Sequence, residues 1–218
     1  IYEFIWTSSN CQDTVKVTVG NVCDCPISNN AINTLNDSYC GAVNNISISG
    51  EEALPSGGEY RWEYSFNNAP FILANDINNL KDLNVSSLGI GQHRFKRVYT
   101  TIDGIICSTE SNILLIEVKE LPTAYIIGQN AMCEGQDQNL TAYDGAYYLW
   151  SYNNETAQSI NITQGGIYTV TVTGNNGCES IADISVSVNP QPLANIKGKT
   201  EDCDGQEVEL TAAGGISY

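Results

Sequence analysis

The chain has 218 residues and a formal net charge of −16, with 9 Lys and Arg residues against 25 Asp and Glu residues. This balance argues against duplex nucleic acid or an anionic membrane surface as a partner, because counterion release needs clustered Lys and Arg side chains. No stretch approaches the roughly 18 consecutive apolar residues of a transmembrane helix, so we expect no membrane insertion in this segment. Eight cysteines in a chain poor in Lys predict an oxidising, extracellular setting, at the cell surface or secreted.

The end of the chain repeats an earlier stretch at a constant spacing. Cys203-Asp204-Gly205-Gln206, continuing to Tyr218, copies Cys133-Glu134-Gly135-Gln136, continuing to Tyr148, at an offset of 70 residues (203 − 133 and 218 − 148). Self-similarity at a fixed period indicates an array of like domains. Because the chain opens and closes inside repeats, we expect the natural protein to be longer at both ends.

The repeats divide the chain into four predicted segments. Residues 1–21 read as the C-terminal part of one repeat and residues 22–121 as a whole repeat with an insertion. Residues 122–190 read as a second whole repeat, and residues 191–218 as the N-terminal part of a further one. Short proline-containing junctions join them and favour a semi-rigid array.

Alternation of apolar residues with Thr or Ser predicts β-strands throughout, whereas helical periodicity is almost absent. The first segment has this pattern at residues 1–7 and 15–19. The second segment has it near 46–49, 60–62, 95–99 and 114–118. Within the insertion of the second segment, residues 73–80 predict an added strand or a helical turn. The third segment predicts strands at 124–127, 139–142, 147–152, 159–163, 167–173 and 184–188. A Gly-Asn-Asn-Gly turn at 174–177 predicts that the last two form a hairpin.

Six or seven short strands in about 70 residues are typical of a small β-sandwich. The predicted fold class is therefore all-β, with tandem immunoglobulin-like β-sandwich domains in an extended array. Each of the first three segments has one tryptophan at a predicted core position: Trp6, Trp62 and Trp150.

Residues that carry chemistry are few. The one basic cluster is His93-Arg94-Phe95-Lys96-Arg97; on a strand, Arg94 and Lys96 would share one face and Phe95 and Arg97 the other, and we interpret the charges as a solvated face and its neighbour. Nucleophilic catalysis needs a positioned base, and the lone His93 has no G-x-S-x-G motif beside it.

Neither the carboxylates nor the cysteines form a sequence motif that is specific for a metal or cofactor. Glu51-Glu52 and the set Glu201, Asp202 and Asp204 qualify for acid–base chemistry by type only, and we interpret them as solvated surface. The second set leaves calcium as the one cofactor worth testing, although no complete calcium loop motif is present. Cysteine-bound zinc is disfavoured because Cys23-Asp24-Cys25 is the only close pair.

Two long runs of residues are similar to a known family. One run is Phe95-Lys96-Arg97-Val98-Tyr99-Thr100-Thr101 with Cys107 and Ile116-Glu117-Val118; the other runs from Cys133-x-Gly135 and Tyr148-x-Trp150-Ser151 to Gly177-Cys178. Both resemble immunoglobulin-like (PKD/CHU_C-like) repeats of secreted surface proteins of the Bacteroidota, of the gliding-motility-associated adhesin type. The resemblance implies export by type IX secretion, and Asp13-Thr14-Val15 resembles an O-glycan acceptor of such exported proteins, which makes Thr14 a glycosylation candidate.

Two disulfide schemes are open for the eight cysteines. Pairing within each repeat would join Cys40 to Cys107 and Cys133 to Cys178, but alternating strand directions place these partners at opposite ends of a sandwich. Pairing across junctions is slightly favoured. It would join Cys40 to Cys178, and Cys107 to Cys23 or Cys25, and would leave Cys11 and Cys203 for partners beyond this segment.

The sequence therefore predicts a non-catalytic structural or adhesive segment of a large extracellular repeat protein, such as a stalk, fibre or adhesin. Its partners would be neighbouring repeats, surface glycans or other copies in a filament. The alternative is a carbohydrate-binding or spacer module of a secreted polysaccharide-degrading enzyme, in which exposed aromatics such as Tyr143, Tyr147 or Tyr152 would stack on sugar rings.

Overall fold

Only strands and irregular segments occur in the residues that the computed structural model describes, which are 2–8, 11–17, 27–74, 79–102, 106–199 and 201–215. For 2–8 and 11–17 the backbone alone is described. The chain divides into two compact units, Ile1–Lys119 and Glu120–Tyr218. The all-β prediction is thus confirmed.

The first unit opens with an antiparallel hairpin in which Tyr2 lies opposite Val17 and Ser8 opposite Cys11. A β-sandwich follows it. The strands of this unit are β1 (Tyr2–Ser8), β2 (Cys11–Val17), β3 (Ile32–Asn33), β4 (Ser38–Cys40), β5 (Val43–Gly50), β6 (Glu59–Phe66), β7 (Ile72–Leu73), β8 (Leu83–Leu88), β9 (Gly91–Thr100), β10 (Ser108–Glu110) and β11 (Leu114–Lys119).

Two sheets form this first sandwich. One has the order β4-β11-β9-β6-β7, with β10 also paired to β9, and the other has the order β3-β5-β8. The short strand β4 runs parallel to β11, whereas β9 is antiparallel to both β6 and β11. Inward residues alternate with outward ones, as the period of two of a half-buried strand requires.

The insertion in the first sandwich contributes two strands. β7 adds a short edge strand to the larger sheet, at the start of the stretch for which we predicted a strand or helical turn. The rest of that stretch includes residues 75–78, which lie outside the described residues. β8 pairs with β5 and was not predicted, because two consecutive polar residues, Ser86 and Ser87, interrupt the apolar alternation of Leu83-Asn84-Val85-Ser86-Ser87-Leu88.

The second unit contains a complete sandwich with the same plan. One sheet has the order β13-β18-β17-β15 and the other β12-β14-β16, and β13 runs parallel to β18 as β4 does to β11. Its strands are β12 (Tyr125–Ile127), β13 (Ala131–Cys133), β14 (Gln138–Tyr143), β15 (Tyr147–Trp150), β16 (Ser159–Ile162), β17 (Gly166–Thr173) and β18 (Glu179–Asn189).

Each sandwich has a core centred on one tryptophan. Trp62 and Trp150 are completely buried, and each indole N–H donates to a backbone carbonyl, that of Leu80 at 2.8 Å and that of Ala157 at 2.9 Å. The bonds let a large aromatic ring lie in the core without an unsatisfied donor. The side chain of Trp6 lies outside the description.

A last hairpin, β19 (Asn195–Gly198) with β20 (Leu210–Ala213), repeats the pairing of β12 with β14. Asn195 lies opposite Ala213 and Ile196 opposite Ala212, as Tyr125 lies opposite Tyr143 and Ile126 opposite Ala142. These positions differ by 70 residues on both strands, so the repeat found in the sequence extends to backbone register.

Candidate functional site

The most elaborate polar site in the first sandwich is built around Arg97, which is completely buried on the inner side of β9. Its guanidinium donates to Asn30 Oδ1 at 2.9 Å, to the carbonyl of Lys81 at 2.6 Å and to the carbonyl of Glu51 at 2.7 Å. Its Cζ atom lies 4.5 Å from the centroid of the Tyr60 ring. We call Arg97 and these four residues the Arg97 cluster.

Burial lowers the pKa of Arg97, because removal from water disfavours the charged guanidinium. The neighbouring backbone makes room for it: a Cβ atom on Gly50 would lie 1.8 Å from Arg97 Nη1, so a larger residue there would displace the guanidinium. Gly50 also donates its N–H to Asp82 Oδ1 at 2.8 Å, and this bond, with one from Lys81, holds the pKa of Asp82 below its usual range.

The buried position of Arg97 corrects our interpretation of the basic cluster as solvated. The alternation itself is confirmed, since Phe95 and Arg97 lie inward while Arg94 and Lys96 lie outward. Charge alone would have kept Arg97 in water, but polar acceptors within the sandwich replace its hydration shell. The inward position shared with Phe95 was the signal that could have revealed this.

The outward pair is also less solvated than expected. Lys96 Nζ lies 2.6 Å from Glu110 Oε1 and 3.3 Å from Glu63 Oε2, and both Lys96 and Arg94 lie over the ring of Phe71. The hydrogen bond to Glu110 raises the pKa of Lys96. Lys96 is therefore paired with two carboxylates of the same sandwich.

The candidate catalytic groups do not converge. His93 is buried, with Nδ1 2.8 Å from the Tyr64 hydroxyl and Nε2 2.8 Å from the carbonyl of Gly89. Glu51 contributes only its backbone carbonyl to the Arg97 cluster, and the carboxylate of Glu52 accepts a long bond of 3.4 Å from the Tyr60 hydroxyl. These residues are engaged in contacts that position strands rather than in a nucleophile–base pair.

The candidate calcium residues Glu201, Asp202 and Asp204 are exposed in the segment between β19 and β20. Asp202 lies 3.6 Å from Lys199 Nζ. Among the described residues, no group of three or more His, Cys, Asp or Glu side chains is placed to hold a metal ion. Calcium at these carboxylates stays a prediction.

Two of the predicted cysteines, Cys40 and Cys178, are disulfide-bonded. Cys133 and Cys203, which occupy equivalent places in the repeat, are exposed free thiols. Cys107 is buried at the start of β10, and its N–H donates to Thr101 Oγ1 at 2.9 Å. The side chains of Cys11, Cys23 and Cys25 lie outside the described residues.

Strand register argues against pairing within a sandwich. Cys133 lies opposite Asn189 at one end of β18, and Cys178 immediately precedes the other end. Eleven strand residues at about 3.3 Å each separate these ends by roughly 35 Å, against a Cα limit of about 7 Å for a disulfide. In the first sandwich, β9 separates Cys40 from Cys107 in the same way. The Cys40–Cys178 pairing stays a prediction.

The three candidate sugar-stacking tyrosines have different surroundings. Tyr152 packs on the second core with its ring edge against Tyr168, and Tyr143 stacks on Tyr125 with 5.1 Å between ring centroids. Tyr147 is 71% exposed on the edge strand β15. Tyr147 is therefore the most exposed of the three residues.

Tyr147 belongs to an apolar outer surface of the sheet β13-β18-β17-β15. Leu149 and Ile181 are exposed on the same side, in a row across the sheet with Thr171 between them. We call Tyr147, Leu149 and Ile181 the outer apolar face. Residues 120–196 contain no Lys, Arg or His, so no cation borders this face from its own sandwich.

The glycosylation candidate Thr14 lies on β2, in a segment whose side chains are not described. No helix in the described ranges is long and apolar enough to cross a membrane.

The comparisons with known proteins concern the fold. No family model and no curated protein matches the chain. It is similar to murine CEACAM1b at 12% identity and a TM-score of 0.36, over 75% of this chain and 100% of that one. It is similar to an amphioxus IgVJ-C2 molecule at 12% identity and a TM-score of 0.35, over 69% of this chain and 99% of that one. It is also similar to the insect immune protein hemolin at 14% identity and a TM-score of 0.36, over 86% of this chain and 56% of that one.

TM-scores of this size carry no argument about function, and the fold assignment rests on the strands themselves. Two sheets with the same strand order in both units, each packed on a buried tryptophan, define an all-β protein of tandem immunoglobulin-like β-sandwiches.

Proposed function

We propose that this chain is a non-catalytic structural or adhesive segment of a large extracellular repeat protein. The observation that carries the proposal is the 70-residue repeat, which reproduces both sequence and strand register between β12–β14 and β19–β20. Tandem repeats of one sandwich type build length and surface rather than a single reactive centre. The proposal includes the finer assignment that the resemblance implies: a Bacteroidota surface adhesin of the gliding-motility-associated type, exported by type IX secretion.

The cysteines and the polar clusters support the extracellular and non-catalytic parts of the proposal. Disulfide-bonded Cys40 and Cys178 suit an oxidising compartment. Arg97 and His93 are both buried, and their side chains form hydrogen bonds to loops and neighbouring strands.

Antibody labelling tests the proposal. Antibodies raised against this chain should label intact cells of the source organism, and their Fab fragments should reduce attachment of those cells to a surface. Labelling that appears only after permeabilisation would contradict the extracellular assignment. Turnover of a surface polysaccharide by the purified chain would contradict the non-catalytic one.

A second function, carbohydrate binding, is favoured by the outer apolar face. Tyr147 presents a free ring for stacking on a sugar, and carboxylates of the same surface, such as Asp183, accept bonds from sugar hydroxyls. Because residues 120–196 contain no cation, the ligand should be a neutral polysaccharide.

A glycan array followed by calorimetry tests this second function. Tyr147→Ala should abolish binding of a neutral glycan, whereas the control Tyr125→Ala on the opposite sheet should leave it unchanged. Equal loss in both variants, or selective binding of anionic glycans, would count against this face.

A further inference from the structure

The turn between β17 and β18 contains the one Asn-Gly pair of the 218 residues, Asn176-Gly177. In such a pair the backbone nitrogen of the glycine can attack the side-chain carbonyl carbon of the asparagine, because glycine has no Cβ atom to hinder the approach. Asn176 and Gly177 are both exposed, so water reaches the turn. The pair is therefore a site at which the chain can modify itself without an enzyme.

The modification is deamidation, and its atoms balance with water alone. The nitrogen of Gly177 loses its proton and bonds to Cγ of Asn176, the Cγ–Nδ2 bond breaks, and Nδ2 leaves as ammonia. Water then opens the cyclic imide, on either side of the imide nitrogen, to an aspartyl or an isoaspartyl residue. The product has a carboxylate, which only accepts hydrogen bonds, in place of an amide that also donates them.

Two hydrogen bonds of the folded turn oppose the loss of ammonia. The N–H of Gly177, which must lose its proton, donates to the carbonyl of Gly174 at 3.0 Å. Nδ2 of Asn176, which must leave, donates to the carbonyl of Glu120 at 2.7 Å. Since one such bond shifts an equilibrium by roughly three- to tenfold, the two together should slow deamidation by at least about tenfold.

A third hydrogen bond of the turn acts in the opposite sense. The N–H of Cys178 donates to Oδ1 of Asn176 at 3.0 Å, and this oxygen gains negative charge when Gly177 attacks. The bond closes an Asx-turn, so the side chain is already folded back onto its own backbone. The turn thus keeps the reacting groups together, and the two opposing bonds keep them unreactive.

We propose that Asn176 is a deamidation site that the fold restrains, and that its conversion releases the carbonyl of Glu120. This inference goes beyond the proposed function, because it concerns a chemical change of the chain itself. The carboxylate of the product has no N–H to donate, and it would place a negative charge against the carbonyl oxygen of Glu120. Residues 120–196 contain no Lys, Arg or His that could compensate this charge from the same sandwich.

Rates of deamidation in the folded and the unfolded chain test the restraint. The whole chain is kept at neutral pH with and without guanidinium chloride, then reduced and cut after Glu residues. The peptide 156–179 that results also contains Asn161 and Asn175, which serve as internal controls. Asn176 should convert at least about tenfold more slowly in the folded chain, and in the unfolded chain it should convert faster than either control. Equal rates in the two states would overturn the restraint, and faster conversion of a control in the unfolded chain would overturn the site.

Limited proteolysis of the folded chain with the same Glu-specific protease tests the release of Glu120. The protease must bind and attack the carbonyl of Glu120, which Asn176 holds in the folded turn. Asn176→Asp should therefore speed this cut by about three- to tenfold, the effect of losing one hydrogen bond. Asn175→Asp is the matched control, because it adds the same charge at the neighbouring exposed position, and its rate should stay that of the unmodified chain.

The cut after Glu155, elsewhere in the second sandwich, shows whether the effect is local. Its rate should be the same in the unmodified chain and in both variants. An unchanged cut after Glu120 in Asn176→Asp, or an equal rise in Asn175→Asp, would refute the contact as the restraint on that carbonyl. A rise after Glu155 as large as the rise after Glu120 would show general loosening of the sandwich and would refute a local release.

Discussion

Replacing Arg97 by Met should destabilise the first sandwich and leave the second unaffected. The change removes the hydrogen bond from Arg97 Nε to Asn30 Oδ1 and leaves that buried oxygen without its donor, which costs about 1–3 kcal/mol. The cation–π contact with Tyr60 contributes about 1 kcal/mol more. Loss of the hydrogen bonds to the carbonyls of Glu51 and Lys81 costs little, because both residues are at least partly exposed and water can replace the guanidinium. Relief of the buried charge offsets part of this loss of about 2–4 kcal/mol, which leaves about 2 kcal/mol.

Hydrogen exchange followed by mass spectrometry measures each sandwich separately in the whole chain. In the Arg97→Met variant, amides of β5, β6 and β9 should exchange on the order of 30-fold faster, the factor that corresponds to about 2 kcal/mol. Amides of β14 and β17 serve as the internal control. Arg97→Lys should also lose protection, because an ammonium group lacks the planar fork of five donors.

Arg94→Met is the matched control on the outward side of the same strand. Arg94 donates to Ser65 Oγ at 3.3 Å and lies over Phe71, so its loss should cost about 0.5–1 kcal/mol. Exchange in Arg97→Met that matches the unmodified chain would show that the cost of burying the guanidinium cancels its bonds. That result would refute the reasoning.

Three further outcomes are expected. Asp82 has a lowered pKa in the folded state, so its stabilisation is present above about pH 4 and is lost as the pH falls through the folded value; urea titrations should show Asp82→Asn destabilised at pH 6 but equal to the unmodified chain near pH 2. Leu140→Ala should cost about 2–5 kcal/mol, whereas Leu210→Ala at the equivalent exposed position should cost less than about 0.5 kcal/mol in the same thermal unfolding assay. Peptide mapping without reduction should find Cys133 alkylated and Cys178 in a disulfide; a Cys133–Cys178 peptide would contradict the strand register.

Much of the strand pattern could be read from the residues. The hairpin of β17 and β18 was predicted from Thr and Val alternation around a Gly-Asn-Asn-Gly turn, because a period of two and turn residues that tolerate positive φ are local properties. β13 was missed because three residues are too few to show a period. β8 was missed because Ser86 and Ser87 interrupt its apolar alternation.

The functional candidates were less predictable, because exposure depends on residues distant in sequence. The sequence did not distinguish between Tyr143, Tyr147 and Tyr152. In the structure Tyr147 is exposed, whereas Tyr143 and Tyr152 are partly buried against other rings. Arg97 reads as a surface charge until Asn30, 67 positions away, is placed beside it.

The repeat and the alternation of apolar residues were enough to establish tandem β-sandwiches, because register and facing are set by neighbours along the strand. Burial is different, since it depends on which sheet packs on which. Leu140 and Leu210 both begin a Leu-Thr-Ala run on a strand, yet Leu140 is paired with Ile160 and lies in a core, whereas Leu210 is paired with Gly198 and is 62% exposed. Packing of a second sheet makes that difference, and no local pattern contains it.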